Sequence, residues 1–123
     1  MQMRDFVVRF AGEGGQGVVT SAEGLAQTST QAGYHALTFA TFPSQILGGP
    51  TWTQARISVN EVLSPGDDVD VLVAFNQEAY DTHHEDVRPE GVVIFNSNEF
   101  QLEGDSRGFG LPVEDLAKAT GNN

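Results

Sequence analysis

The sequence predicts one α/β domain: a Rossmann-like three-layer fold with a mostly parallel sheet. Three observations carry that prediction. Short β-branched and aromatic runs, FVVRF at 6–10, VDVLVAF at 69–75 and VVIFNS at 92–97, have the continuous apolar character of strands buried on both faces. Between them lie stretches whose apolar residues recur at helical spacing. The first strand also runs directly into a glycine cluster, GEGGQG at 12–17, which opens the first of those helical stretches. Strands alternating with helices imply right-handed crossovers, and 123 residues suffice for one core but not for two of ordinary size.

Each element has its own local reason. After Phe6–Phe10 and the glycine turn, Val18, Ala22, Leu25, Ala26 and either Ser29 or Ala32 form a helical stripe that stops at Gly33. YHALTF at 34–39 reads as a second strand, and TWTQARISV at 51–59 alternates as a third with one covered face. SPGDD at 64–68 is a turn by composition, and VDVLVAF follows as the most apolar strand. Asn76 is placed to cap a short helix over NQEAYDTHHEDV, and RPEG at 88–91 then turns the chain into VVIFNS. LPVEDLAKATG at 111–121 reads as a closing helix.

Charge divides the chain in two. The total is −11, from 17 acidic and 6 basic residues. Arg4, Arg9 and Arg56 balance Asp5, Glu13 and Glu23 in residues 1–60, so the whole excess lies in residues 61–123. This balance argues against nucleic acid or an anionic membrane surface as a partner. With no membrane-length apolar run and no signal-peptide pattern, the expected location is cytoplasmic. A single lysine amid so many carboxylates fits a halophilic protein, with an ordinary acidic protein as the alternative. There is no cysteine, which excludes disulfides, thiolate metal sites, iron–sulfur ligation and a cysteine nucleophile on this chain. Between Glu23 and Arg56 no Asp, Glu, Lys or Arg occurs, and within that span lies the apolar, glycine-rich stretch TFATFPSQILGGPTW at 38–52. Uncharged surface of this kind marks something covered by a partner.

In parallel sheets ligands lie at the carboxyl ends of the strands. The glycine turn, the uncharged loop after strand two and Asn76 all fall at that edge. Gly12, Gly14 and Gly17 match the spacing of a dinucleotide turn, but Thr38, Phe39, Ala40 and Thr41 stand where a ribose-binding acid would be expected. Gly17 is followed by Val18 and Val19, so a nucleoside-triphosphate loop is excluded. The turn is therefore either a purely structural glycine turn or an anion or cofactor contact. Arg56, the one charge on its strand, either makes a surface ion pair or faces an anionic ligand or partner. The adjacent His83 and His84 are ill-placed to share a metal, and no metal site is expected. Asp67, Asp68 and Asp70 read as a solvated turn, and Ser21 and Ser44 have no triad partners nearby in sequence.

The segments RFAGEGGQGVVTSAEGLAQ, GYHALTFATFPSQILGGPTWTQARIS, DVDVLVAFNQEAY and PEGVVIFNS, in this order, resemble the gamma-type domain of 2-oxoacid:ferredoxin oxidoreductases. The form resembled most is the one fused at the N-terminus of the alpha subunit in 2-oxoglutarate-type enzymes. The resemblance implies a component of a thiamine-diphosphate enzyme that oxidatively decarboxylates a 2-oxoacid, passes electrons through an iron–sulfur cluster to ferredoxin and transfers the acyl group to coenzyme A. It places thiamine diphosphate, Mg and the cluster mainly on other domains or subunits, and makes the remaining alpha-subunit domains and the beta subunit the expected partners. Residues 1–123 then correspond to a fragment or a separately encoded part of a larger enzyme. Gly12, Gly14, Gly15, Gln16, Gly17 and Asn76 become candidate cofactor contacts. Phe42, Pro43, Ser44, Gln45, Ile46, Gly48, Gly49, Pro50 and Arg56 become candidate substrate or partner contacts. The catalytic residues are not assigned. One departure is Leu47, where the family's loop often carries a basic residue before its Gly-Gly pair. Two other readings remain: a self-sufficient nicotinamide or flavin dehydrogenase using the glycine turn, and a non-catalytic adaptor on the same fold.

Overall fold

The computed structural model describes residues 5–13, 17–41, 50–60, 68–112 and 115. Its elements are β1 (Asp5–Glu13), α1 (Val18–Gln31), β2 (His35–Thr41), β3 (Pro50–Ser58), β4 (Val69–Ala74), α2 (Gln77–His83), a one-turn 3₁₀ helix (His84–Asp86), β5 (Val87–Asn96) and β6 (Gly108–Leu111). The six strands form one sheet in the order β2-β3-β1-β4-β5-β6. Three of its five neighbouring pairs are parallel, β1 with β4, β4 with β5 and β5 with β6. The sheet is mostly parallel, as the strand–helix alternation predicts. Its other half is not: β3 lies antiparallel between β1 and β2. β2 and β3 are consecutive in sequence and pair as a hairpin, with no crossover helix between them.

Side chains alternate across a strand, so paired residues define two faces. Val8 and Ala55 are directly opposite one another on one face, and Arg9 with Gln54 and Ala11 with Trp52 on the other. Helix α2 sends His83 to Arg9 and therefore covers the second face. The main core lies there, with Val7, Ala11, Val69, Leu72, Val93 and Ala79 all buried. Helix α1 packs along β1, β2 and β3. Its buried Val18 and Ala22 lie outside that core cluster, as do the buried Val8, Ala55 and Ile57, so α1 covers the first face. Helices on both sides of one sheet make the expected three layers.

Helix α1 ends in a Schellman motif. Tyr34 N–H donates to the Ser29 carbonyl at 3.0 Å and Gly33 N–H to Thr30 at 3.1 Å, with Gly33 at φ 98°. Helix α2 begins as its sequence predicts, the Asn76 side chain accepting from Ala79 N–H at 2.8 Å.

Three sequence expectations need correction. RPEG is not a turn between elements but part of β5, absorbed in a bulge where Val69 pairs with Val87 and Val71 already pairs with Val92. Asp70 is not on a solvated turn: it is buried in β4, accepts from Val7 N–H at 2.8 Å and pairs with Arg88 at 3.1 Å. GFGL at 108–111 forms the edge strand β6, so Leu111 ends a strand where the sequence places the start of a helix. The predicted turn at 64–68 falls largely, and the predicted helix at 111–121 mostly, outside the described residues.

Candidate functional site

The carboxyl ends of β1, β4 and β5 share one edge of the sheet, because the three strands are parallel. β3 starts at that edge, with Thr51 opposite Gly12 and Pro50 opposite Glu13, and β2 ends there, with Thr41 opposite Trp52. Gly12, Gly17, Pro50 and Asn76 therefore belong to one edge. Gly14, Gly15, Gln16 and the segment Phe42–Gly49, which includes Leu47, lie outside the described residues.

Helix α1 presents its N-terminus at this edge. Gly17 adopts φ 83°, the left-handed region that favours glycine, and its carbonyl accepts from Ser21 N–H at 2.9 Å. Gly17, as N-cap, offers no side chain to the first turn, and that turn contains no acidic residue of its own. The amides of that turn have no intrahelical acceptor, and the helix dipole makes this end attractive to an anion.

Arg56 sits elsewhere. It pairs with Val7, five residues along β3 from Thr51, or about 17 Å at strand rise. There its guanidinium binds both oxygens of Asp5 at 3.0 and 2.8 Å, which holds the Asp5 carboxyl below its ordinary range.

Beneath the edge the structure assembles a cluster that sequence reasoning missed. Arg9 is buried on the α2 face. Its Nε donates to Gln54 Oε1 at 2.8 Å, and its Nη1 donates to Asp86 Oδ2 at 2.7 Å and to His83 Nδ1 at 3.0 Å. The guanidinium carbon lies 4.6 Å from the ring centre of Trp52, within cation–π range. Trp52 also meets His83 edge-on at 5.8 Å and Phe39 at 5.7 Å. Arginine only donates, so His83 Nδ1 must accept and its proton sits on Nε2. Burial first, and then the Arg9 charge, push the His83 pKa down to about 4, against a smaller opposing pull from Asp86. The imidazole is neutral at physiological pH. The only available signal was one arginine within an apolar strand, FVVRF, next to a core face.

A second cluster anchors the far side of the sheet. Arg107 donates to Asp105 through Nε at 2.9 Å and Nη2 at 2.8 Å, and through Nη1 to the Val87 carbonyl at 2.8 Å. Tyr80 O–H donates to Asp105 at 2.7 Å. These bonds, Arg107's foremost, drive the Asp105 pKa far below the ordinary carboxylate range.

The geometry bears on the dinucleotide reading. In a dinucleotide-binding sheet the strand after the first helix neighbours β1 and delivers its acid beside the glycine turn. Here β3 intervenes, so the end of β2 is two strands from Gly12. Both the missing acid and the strand order therefore disfavour such a site.

The fold defines a class: a three-layer α/β domain in which Gly12, Gly17, Pro50 and the Asn76 cap of α2 share one edge of the sheet. The family model for pyruvate ferredoxin/flavodoxin oxidoreductase matches residues 7–123, and the chain belongs to that family. It is 35% identical to the ketoisovalerate oxidoreductase subunit VorA of Methanothermobacter marburgensis, over 98% of this chain and 26% of that protein. It is 30% identical to the 2-oxoglutarate synthase subunit KorC of Archaeoglobus fulgidus, over 93% of this chain and 60% of that one. Among solved structures it resembles the 2-oxoglutarate:ferredoxin oxidoreductase of Magnetococcus marinus with 2-oxoglutarate, coenzyme A and succinyl-CoA bound. That match has a TM-score of 0.84 at 31% identity, covering 98% of this chain and 22% of that one. The gamma subunit of a Geobacter sulfurreducens keto/oxoacid ferredoxin oxidoreductase shares the fold, at TM-score 0.79 and 24% identity, over 94% of this chain and 65% of its own. The chain thus spans about a quarter of the length of the VorA relative.

Proposed function

We propose that this chain is a component of a thiamine-diphosphate-dependent 2-oxoacid:ferredoxin oxidoreductase, and that its glycine-turn edge shapes the coenzyme A and substrate side of the active region. The observation that carries the reading is the N-terminus of α1, which begins at the left-handed Gly17 and carries no acidic residue in its own first turn, in a chain that belongs to this family. A phosphate of coenzyme A fits that turn: Gly17 brings the backbone close without a Cβ, and the first-turn amides supply donors. Asn76 and Pro50 border the same edge, and in this reading the segment from Phe42 to Pro50 meets the neighbouring domains of the assembly. The acceptor thiol of coenzyme A would supply the acyl-transfer chemistry.

The iron–sulfur cluster does not fit this chain, which has no cysteine. Among the described residues no group of three His, Asp or Glu side chains could hold a metal ion. In this proposal thiamine diphosphate with its Mg, and the cluster, are held mainly on other domains or subunits, and ferredoxin is the acceptor of the complete enzyme. Among the described residues no helix is long and apolar enough to cross a membrane. A cytoplasmic location is part of the proposal, as is adaptation of the acidic surface to concentrated salt.

Reconstitution tests the reading. This chain, combined with the remaining alpha-subunit domains and the beta subunit, should restore coenzyme-A-dependent oxidation of a 2-oxoacid with ferredoxin as acceptor. Full activity from the 123-residue chain alone, or full activity of the assembly without it, would overturn the proposal.

A further inference from the structure

We infer that Arg9 is a positioning residue for the ligand-facing edge, holding the rung from which the glycine turn and the 42–49 segment both depart. The inference rests on the proposed role of that edge and names the group that fixes its geometry.

Three facts carry it. First, Ala11, Trp52 and Thr41 form one rung across β1, β3 and β2, and Arg9, Gln54 and Phe39 form the next rung inward on the same face. The outer rung is the last but two of β1 before Gly14 and the last of β2 before Phe42. Second, one guanidinium ties both rungs to α2. It hydrogen-bonds Gln54 of the inner rung, stacks under Trp52 of the outer one, and reaches His83 at the end of α2 and Asp86 just beyond it. The N-terminus of α2 is the Asn76 end, at the same edge. Third, β2 is an edge strand and its Phe39 is 47% exposed, so among the described residues little else on this face restrains the hairpin. Remove the guanidinium and the hairpin mouth keeps its ladder and the edge contact of Trp52 with His83, but loses its hydrogen-bonded link to α2. Arg9 does not reach the edge itself, lying three residues below Gly12, so its effect is on placement and not on contact.

A positioning role separates from a merely structural one in steady-state kinetics. Loss of structure lowers the amount of competent enzyme and so kcat, whereas a displaced binding edge weakens coenzyme A. The experiment uses the assembled oxidoreductase containing this chain, with coenzyme A as the probe. Arg9→Met, which fills the space without donors, should raise the KM for coenzyme A by about five- to twentyfold while kcat stays within about twofold. His83 offers a route that does not touch the buried charge. His83→Asn keeps an acceptor near the position of Nδ1 and should retain a nearly normal KM, whereas His83→Leu leaves Arg9 one acceptor short and should shift KM in the same direction as Arg9→Met. Val93→Ala, a core truncation on β5, is the control. An unchanged KM in both Arg9→Met and His83→Leu, or an equal rise in Val93→Ala, overturns the inference. If Arg9→Met fails to assemble, the His83 pair decides. A wild-type assembly that oxidises the 2-oxoacid without any need for coenzyme A would instead overturn the proposed function.

Discussion

His83 shows how one neutral ring can hold two layers together. Its Nδ1 accepts from a buried arginine, and burial with that charge depresses its pKa from 6.5 to about 4. In the unfolded chain the ring protonates below its ordinary value near 6.5, so between pH 6.5 and 4 the unfolded state binds more protons than the folded one. By linkage, stability is fully present above pH 6.5, falls as pH drops through that window, and stops falling once the native ring also protonates near 4. The loss amounts to at most about 3 kcal/mol. Denaturant unfolding of wild type and His83→Asn at pH 7, 5.5 and 4 checks this: the difference between the two proteins should shrink or reverse as the pH falls. A constant difference would mean that His83 does not titrate with folding. The same cluster marks where reading the sequence stops. Arg9 meets Gln54, His83 and Asp86 at separations of 45, 74 and 77 residues, and no local pattern encodes such meetings.

At the scale of elements, what was legible was local. The stripe of α1, its stop at Gly33 and the Asn76 cap each depend on residues within one or two turns, and each stands where it was expected. RPEG misled because proline and glycine signal a turn, yet here they serve a bulge that keeps Val87 and Val92 both paired with β4. The reason is steric: at Gly91 an added Cβ would lie 2.7 Å from the Asp70 carbonyl oxygen and 2.8 Å from Val87 Cγ1. Asp70 cannot retreat, since its carboxylate holds Val7 N–H and Arg88. Gly91→Ala should therefore cost about 2–3 kcal/mol. Gly24, inside α1 with nothing within 4 Å of an added Cβ, is the opposite case, and Gly24→Ala should stabilise by about 0.5–1 kcal/mol. Urea midpoints of the two variants should move in opposite directions. A shift of the same sign would contradict the crowding at Gly91. Strand β6 was missed for a related reason: GFGL has the composition of a loop, and only pairing with β5 makes it a strand.

For the molecule as a whole, sequence order told the fold class but not the antiparallel half of the sheet, because β3 is selected by pairing with β1 across 37 to 53 residues. Charge, in contrast, was legible in full and its consequence is collective. The exposed acids Glu78, Asp81, Glu85, Asp86 and Glu90 crowd α2 and its sequel within thirteen residues, and among the described residues the ion pairs that offset them are Arg9 with Asp86, and Arg88 with Glu90 at a long 3.9 Å. With a net charge of −11 the compact state suffers self-repulsion that the expanded chain relieves. Raising salt from about 0.1 M to about 1 M shortens the screening length from about 10 Å to about 3 Å, so repulsion among these carboxylates should fade while the buried Arg9 contacts persist. The unfolding midpoint should rise steadily with KCl over that range. The triple substitution Glu78→Gln, Asp81→Asn, Glu85→Gln should abolish a substantial part of that rise while raising stability at low salt. A protein equally stable at low and at molar KCl would show that its acidity is incidental, and a triple variant with an unchanged salt response would move the relevant charge away from the α2 face.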